Sequence, residues 1–173
     1  QALYGIVQGG VYEDLRIESC RFISSLPFHG YAIGGVSVGE SKKQMLSVCD
    51  WVMPYLPDNK PRHLLGVGEI DDVFEIVARG VDTFDCVMPT RIARMGHILI
   101  MQKSKVKMQN ASKFQKRHEI DINKAAFKSD KKPLDPDCSC YVCLRFSRAY
   151  VHHLFRAREL LGYRLATYHN VYF

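Results

Sequence analysis

Cys138, Cys140 and Cys143 place three soft sulfur donors within six residues of chain. On a turn at the start of a helix, that spacing lets three thiolates point at one ion, and a tetrahedral zinc site then needs a fourth protein ligand. His152, His153 and His169 are the candidates. The first two belong to the helical stretch that begins at the cysteines and would point along it. His169 follows Gly162, a residue that lets the chain fold back, so it is the expected fourth ligand. Four protein ligands close the coordination sphere, which makes one structural Zn2+ the expected occupant, with no open position for catalysis. Without a metal, such closely spaced thiols would be a liability.

Asp85 offers a different chemistry. It lies inside Thr83-Phe84-Asp85-Cys86-Val87-Met88-Pro89-Thr90, at the end of an apolar run. A carboxylate at a strand end is partly desolvated and can attack an electrophilic carbon, although an aspartate there more often serves as a turn or cap residue. Asp71 and Asp72, after Gly68-Glu69-Ile70, are well explained as first-turn helix residues. Arg91 and Arg94 are three apart, so on a helical coil they project to one side, where guanidinium forks suit phosphates and base edges. Gly9-Gly10 and Gly34-Gly35 let a flat ligand approach the backbone, and Gln8 offers both a donor and an acceptor to a heterocycle edge.

The elements that must position these residues alternate. Leu3 to Val7, Tyr31 to Ile33, His63 to Val67 and Thr83 to Val87 read as strands, each running into glycine or turn residues. Between them the spacing predicts three helices. Their core faces carry Leu15, Phe22, Ile23 and Leu26, then Met45, Val48, Cys49 and Val52, then Val73, Ile76 and Val77 before Gly80. Strand-helix alternation implies a parallel sheet with its ligand site at the carboxyl ends of the strands. Four such units equal half of a (β/α)8 barrel, with an open doubly wound sheet as the competing layout. Gly96 to Ile100 reads as a short strand, the following basic run as a loop, and Phe146 to Leu161 as one long helix ending at Gly162.

Composition sets the bounds. The 173 residues are 47% hydrophobic and 24% charged, enough for a respectable core and outside the range of disordered chains. The chain begins in what reads as an interior strand without a start methionine, so it is expected to be part of a larger protein. Lys and Arg number 24 against 18 Asp and Glu, and ten of the basic residues lie between Met101 and Pro133, a run suited to a polyphosphate partner. Cys20, Cys49 and Cys86 sit among apolar neighbours and read as reduced core thiols. No apolar stretch of about 18 residues exists, so no membrane span is expected, and clustered thiols without a secretory signal point to the cytoplasm.

Several motifs occur together: Tyr4-Gly5-Ile6-Val7-Gln8-Gly9-Gly10, Tyr31-Ala32-Ile33-Gly34-Gly35-Val36-Ser37-Val38-Gly39-Glu40, Leu64-Leu65-Gly66-Val67-Gly68, Phe84-Asp85-Cys86-Val87-Met88-Pro89-Thr90-Arg91, and the cysteine cluster followed by Ser147-Arg148-Ala149-Tyr150 and His169-Asn170. As a set they resemble the queuine/7-deazaguanine tRNA-ribosyltransferase family, also called tRNA-guanine transglycosylase, across essentially the whole chain. The resemblance implies an α/β fold, a (β/α)8 TIM-type barrel with an inserted zinc-binding subdomain. Residues 1–100 would be the carboxyl-terminal half of the barrel with its active-site loops, and 101–173 the basic insertion, zinc subdomain and closing helices.

It further implies exchange of guanine 34 in GUN-anticodon tRNAs for a 7-deazaguanine through a covalent ribosyl-aspartate, with Asp85 as nucleophile. Gln8, Gly34, Gly35, Val36 and Leu65 match the base pocket. Gly66, Val67, Gly68, Glu69, Ile70, Asp71 and Asp72, with Thr90, Arg91, Ile92, Ala93 and Arg94, match RNA-contacting stretches, although Glu69 stands where a basic residue is common. Cys138, Cys140, Cys143 and His169 match the zinc ligands. Val38 resembles the bulkier bacterial pocket, implying preQ1 rather than queuine as the incoming base. The proton-transferring aspartate belongs to the amino-terminal half, so this chain by itself is expected to be inactive. A homodimer in the cytoplasm is the implied assembly, and a non-catalytic tRNA-binding partner subunit is the alternative reading, against which Asp85 argues.

Overall fold

The structure, a computed structural model, describes residues 1–37, 39–101 and 118–173. Val38 and most of the basic run lie outside the described residues. The chain forms two compact units, 1–86 and 87–173.

In the first unit, strands β1 (Tyr4–Val7), β2 (Gly30–Ile33), β3 (Arg62–Leu64) and β4 (Thr83–Phe84) form one parallel sheet in the order β1-β2-β3-β4. Helices α1 (Glu13–Ser24), α2 (Lys42–Val52) and α3 (Ile70–Ala78) connect them. The α/β class and the parallel sheet expected from the alternation are present, and the strand order runs in sequence without reversal. Pairing carries Val7 to Ile33, Ile33 to Leu64 and Leu64 to Phe84, so the four strands end on one line. Val7, Ile33, Leu64, Val48, Val52 and Ile76 are fully buried in the core between sheet and helices.

Local chemistry explains the helix ends. Ser41 and Gln44 form a reciprocal capping box at the start of α2. The α3 terminus closes on Gly80 at φ 95°, with Val81 N–H donating to the Ile76 carbonyl and Gly80 N–H to that of Val77. The expected core face of α2 is buried as read, but that of α1 is not. Leu15 and Phe22 are 47% and 64% exposed, while Arg16 and Cys20 are fully buried. An apolar-periodicity reading passes over arginine because buried cations are rare. Here the guanidinium is buried because four carbonyls receive it, as described below. On α3 only Ile76 of the expected face is fully buried, and Val77 is 51% exposed.

The third and fourth strands are shorter than expected. After Leu64 and one further residue the backbone turns at Gly66, φ 73°, and the Gly66 N–H goes to the Asp85 side chain instead of a strand partner.

The second unit holds α4 (Met88–Arg94), β5 (His97–Leu99), β6 (Glu119–Asp121), α5 (Tyr141–Arg145), α6 (Arg148–Arg156) and α7 (Leu160–Tyr172). Strand β6 pairs antiparallel with β5, where the sequence reads as loop because three residues show no alternation. Ala93, Ile98, Ile122, Leu134, Val142, Val151 and Ala166 are fully buried in its core.

The single long helix expected up to Gly162 is two helices. The break falls at Arg158, which takes φ 57°. Glu159 N–H then donates to the Leu154 carbonyl and Arg158 N–H to that of Phe155, the glycine-type helix stop made with arginine. Gly162 lies inside α7 and serves packing instead, since a Cβ there would come within 3.0 Å of Leu154 Cβ.

Candidate active site and metal centre

Because the four strands end in register, the residues that follow them emerge along one edge of the first sheet. These are Gln8, Gly34 with Gly35, Leu65 with Gly66, and Asp85, all singled out in the sequence. Gln8 lies across the glycine pair: a Cβ built on Gly34 would meet Gln8 Nε2 at 2.5 Å, and one on Gly35 would meet Gln8 Oε1 at 2.7 Å. Gly35 also holds φ 62°, in the left-handed region. Glycine at both positions is thus what lets the amide of Gln8 reach this edge.

Arg16 ties the two loops together from below. Its Nη1 donates to the carbonyls of Gly34 at 2.7 Å and Val7 at 3.2 Å, its Nη2 to Gly35 at 2.8 Å, and its Nε to Gly10 at 2.7 Å. Burial lowers the Arg16 pKa, yet a guanidinium stays charged at neutral pH, so four fixed carbonyl dipoles face a permanent cation. The periodicity that placed α1 carried no signal for this role. An arginine two turns past a Gly-Gly loop is ordinary in sequence.

Asp85 is more than half exposed. Its Oδ1 accepts from Gly66 N–H at 3.1 Å and pairs with His63 Nε2 at 3.1 Å. The Gly66 N–H first, and then His63, hold the carboxyl below the ordinary aspartate range, so it is ionised at neutral pH. An accessible ionised carboxylate among loop backbone groups is equipped to act as a nucleophile or to stabilise a cation.

In the second unit, Cys138, Cys140, Cys143 and His169 bring their ligand atoms within 4.8 Å of one another. The sulfurs lie 3.7, 3.4 and 3.3 Å from His169 Nδ1. A tetrahedron with zinc-sulfur and zinc-nitrogen bonds of ordinary length has sulfur-to-nitrogen edges of about 3.6 Å, so the spacing fits. Each sulfur also receives one backbone N–H at 3.4 Å: Cys138 from Cys140, Cys140 from Cys143, and Cys143 from Asp135. Such donors favour thiolate. Against them, burial foremost pushes the Cys138 and Cys143 thiols up, with neighbouring sulfurs adding to the effect, and a bound cation removes that penalty. His169 Nε2–H donates to the Leu99 carbonyl at 2.7 Å, and burial lowers the imidazole's pKa, which keeps the ring neutral with Nδ1 free to ligate. The donor set fits one structural zinc, as the spacing predicts. His152 is committed elsewhere, donating to the Ile122 carbonyl at 2.7 Å, and His153 is exposed.

The family model described as queuine tRNA-ribosyltransferase matches residues 1–173. The chain belongs to that family. It is 50% identical over all 173 residues to the queuine tRNA-ribosyltransferase of Halothermothrix orenii, covering 42% of that protein. To those of Roseiflexus sp. and Thermoanaerobacter sp. it is 51% and 50% identical over its full length, covering 40% and 42% of them. The chain therefore spans about two fifths of the length of the curated relatives it matches.

The remaining positions that the family resemblance singles out divide by exposure. Gly66 and Glu69 are exposed, Gly68, Ile70 and Asp71 are half-buried, and Val67 is buried. Asp72 is buried and ion-paired with Lys42, a structural engagement for its carboxylate. On α4, Arg91 and Arg94 are exposed, Thr90 and Ile92 are half-buried and Ala93 is fully buried. Val36 is buried. No helix among the described residues is long and apolar enough to cross a membrane.

Proposed function

We propose that the protein carrying this chain is a tRNA-guanine transglycosylase that exchanges guanine 34 of GUN-anticodon tRNAs for a 7-deazaguanine, with Asp85 as the nucleophile. In the first displacement a carboxylate oxygen of Asp85 bonds to ribose C1′ as the C1′–N9 bond breaks. Guanine leaves with that electron pair and takes a proton from a donor that the family resemblance assigns to the amino-terminal part. In the second, the incoming base gives its N9 proton back to that same group and bonds to C1′ through N9 as the aspartate departs as carboxylate, so two inversions retain configuration, as in a retaining glycosidase.

The observation that carries this reading is the shared register of the strand ends, which brings ionised Asp85 to the same edge as Gln8, Gly34 and Gly35. Gln8, Gly34, Gly35, the Val36 backbone and Leu65 read the base. Gly66, Val67, Gly68, Glu69, Ile70, Asp71 and Asp72, with Thr90, Arg91, Ile92, Ala93 and Arg94, form the stretches that meet the anticodon loop, Arg91 and Arg94 gripping the RNA. A base flips cheaply out of a single-stranded loop. The consecutive parallel order of β1 to β4 supports the carboxyl-terminal half of a (β/α)8 barrel, with residues 1–100 as its barrel part and 101–173 as the insertion, zinc subdomain and closing helices. Zinc held by Cys138, Cys140, Cys143 and His169 supplies folding energy only, since its four ligands are all protein. The complete protein is a cytoplasmic homodimer that uses preQ1.

The test uses the complete protein with cognate tRNA. The wild type should exchange guanine and yield a covalent tRNA adduct on denaturing gels, and Asp85→Asn should bind tRNA without forming the adduct. An adduct in Asp85→Asn removes Asp85 from the mechanism, and tRNA binding without exchange by the wild type favours a non-catalytic partner subunit. Competition between preQ1 and queuine decides the incoming base.

A further inference from the structure

His63 and Thr83 are paired neighbours on adjacent strands β3 and β4. Their side chains meet, with His63 Nδ1 to Thr83 Oγ1 at 2.9 Å, and the far nitrogen of the ring reaches Asp85 Oδ1 at 3.1 Å. The same Oδ1 accepts from Gly66 N–H at 3.1 Å. An ionised carboxylate only accepts, so His63 Nε2 carries the hydrogen of that contact. In the neutral ring Nδ1 then accepts from the Thr83 hydroxyl. The result is a directed chain, Thr83 O–H to His63 and His63 N–H to Asp85.

A free aspartate carboxylate rotates between two equivalent oxygens, because its last torsion is broad and twofold. Two donors on one oxygen remove that equivalence. We propose that His63 is a positioning residue for the reaction assigned to Asp85: with Gly66 it anchors Oδ1 and thereby presents Oδ2 as the oxygen that bonds to the sugar carbon. This inference rests on the reading of Asp85 as nucleophile. In the first displacement the Oδ2–C1′ bond forms as the C1′–N9 bond breaks, and Oδ1 remains the carbonyl oxygen of the ribosyl ester, still facing two N–H donors. In the second, the incoming base's ring nitrogen bonds to C1′ as the Oδ2–C1′ pair returns to the carboxylate, and those donors meet the regained charge. Hydrogen bonds to a charged acceptor are the stronger kind, so they aid departure of the aspartate.

The test uses the complete protein and measures three quantities: tRNA affinity, the single-turnover rate of covalent adduct formation, and kcat with KM for the incoming base. His63→Phe removes both bonds of the ring and should slow adduct formation about tenfold or more, because Oδ2 is no longer held in the attacking orientation, with tRNA affinity and KM near wild type. His63→Gln, which keeps an N–H donor, should recover most of that rate. Thr83→Val leaves the ring in place without its anchor and should slow the reaction several-fold, with no added effect in the His63→Phe background. Wild-type adduct rates in His63→Phe, or His63→Gln no better than His63→Phe, overturn the proposal. If His63→Phe does not fold, a wild-type rate in Thr83→Val overturns it. Asp85→Asn separates the two readings. An adduct in that variant defeats the nucleophile itself, whereas loss of adduct there with full activity in the His63 variants defeats only the positioning role.

Discussion

His169 donates through Nε2 to the carbonyl of Leu99 at 2.7 Å, a bond spanning 70 residues of sequence, and it decides which ring nitrogen faces the three cysteines. A carbonyl only accepts, so Nε2 must carry the proton and Nδ1 must hold the lone pair. The neighbouring Asn170 braces the same place. It accepts from Leu99 N–H at 3.0 Å and donates to the carbonyls of Pro89 and His97. The metal ligand is thus oriented by β5 and α4 as well as by its own helix.

Metal retention should depend on pH with a definite sign. The folded pKa of His169 lies below its ordinary 6.5, so between the two values the folded state holds fewer protons than the unfolded. Its contribution is complete above the ordinary value and is lost as pH falls through the depressed one. Zinc release to a chromophoric chelator should therefore be slight above about pH 6.5 and rise progressively below it. A zinc-release profile unchanged by His169→Ala would remove His169 from the ligand set.

Replacing Arg16 with Met should destabilise the chain by about 2 to 4 kcal/mol in denaturant titration, because buried carbonyls lose their donors. Lys should recover only part of this, since one ammonium cannot reproduce a fork spread over Gly10, Val7, Gly34 and Gly35. In the complete protein, Arg16→Lys should raise KM for the incoming base more than it lowers kcat. Equal changes in both parameters would place Arg16 outside base recognition.

Gly35→Ala should cost about 1 to 2 kcal/mol for its left-handed backbone and displace the Gln8 amide. Gly34→Ala lacks the backbone cost but meets the same amide, so it should weaken base binding with a smaller loss of stability. Isothermal titration with preQ1 and thermal melts of the complete protein separate the two effects. Unchanged base affinity in both variants would rule out Gln8 as a reader.

Arg158→Gly should stabilise the chain by a few tenths to about 1 kcal/mol, because glycine adopts φ 57° without the Cβ penalty while giving up some unfolded-state order. Gly162→Ala should destabilise it by about 1 kcal/mol or more through crowding against Leu154. Reversed signs in a matched pair of melts would mean that the break between α6 and α7 is held by something other than this stop.

Much of the local order could be read in advance. The first three strands run into glycine because the chain must turn there, the face of α2 follows its apolar spacing, and the three cysteines point to a metal by their spacing. The readings that failed share a cause. The α1 face and the helix stop at Gly162 each assigned a residue its commonest use, whereas burial of Arg16 is favoured by four carbonyls from two separate segments, and Arg158 takes a glycine's conformation where its own N–H and that of Glu159 bond back to Phe155 and Leu154.

The sequence by itself determined the alternation of strands and helices and the sulfur cluster, since these depend on neighbours a few residues apart. Only the tertiary structure decided that His63 and Gly66 share one oxygen of Asp85, that Arg16 joins the two glycine loops, and that Leu99 turns His169 toward the sulfurs. The longer of those contacts join residues 18 to 70 positions apart, and strand register and packing, rather than spacing along the chain, bring them within hydrogen-bond length.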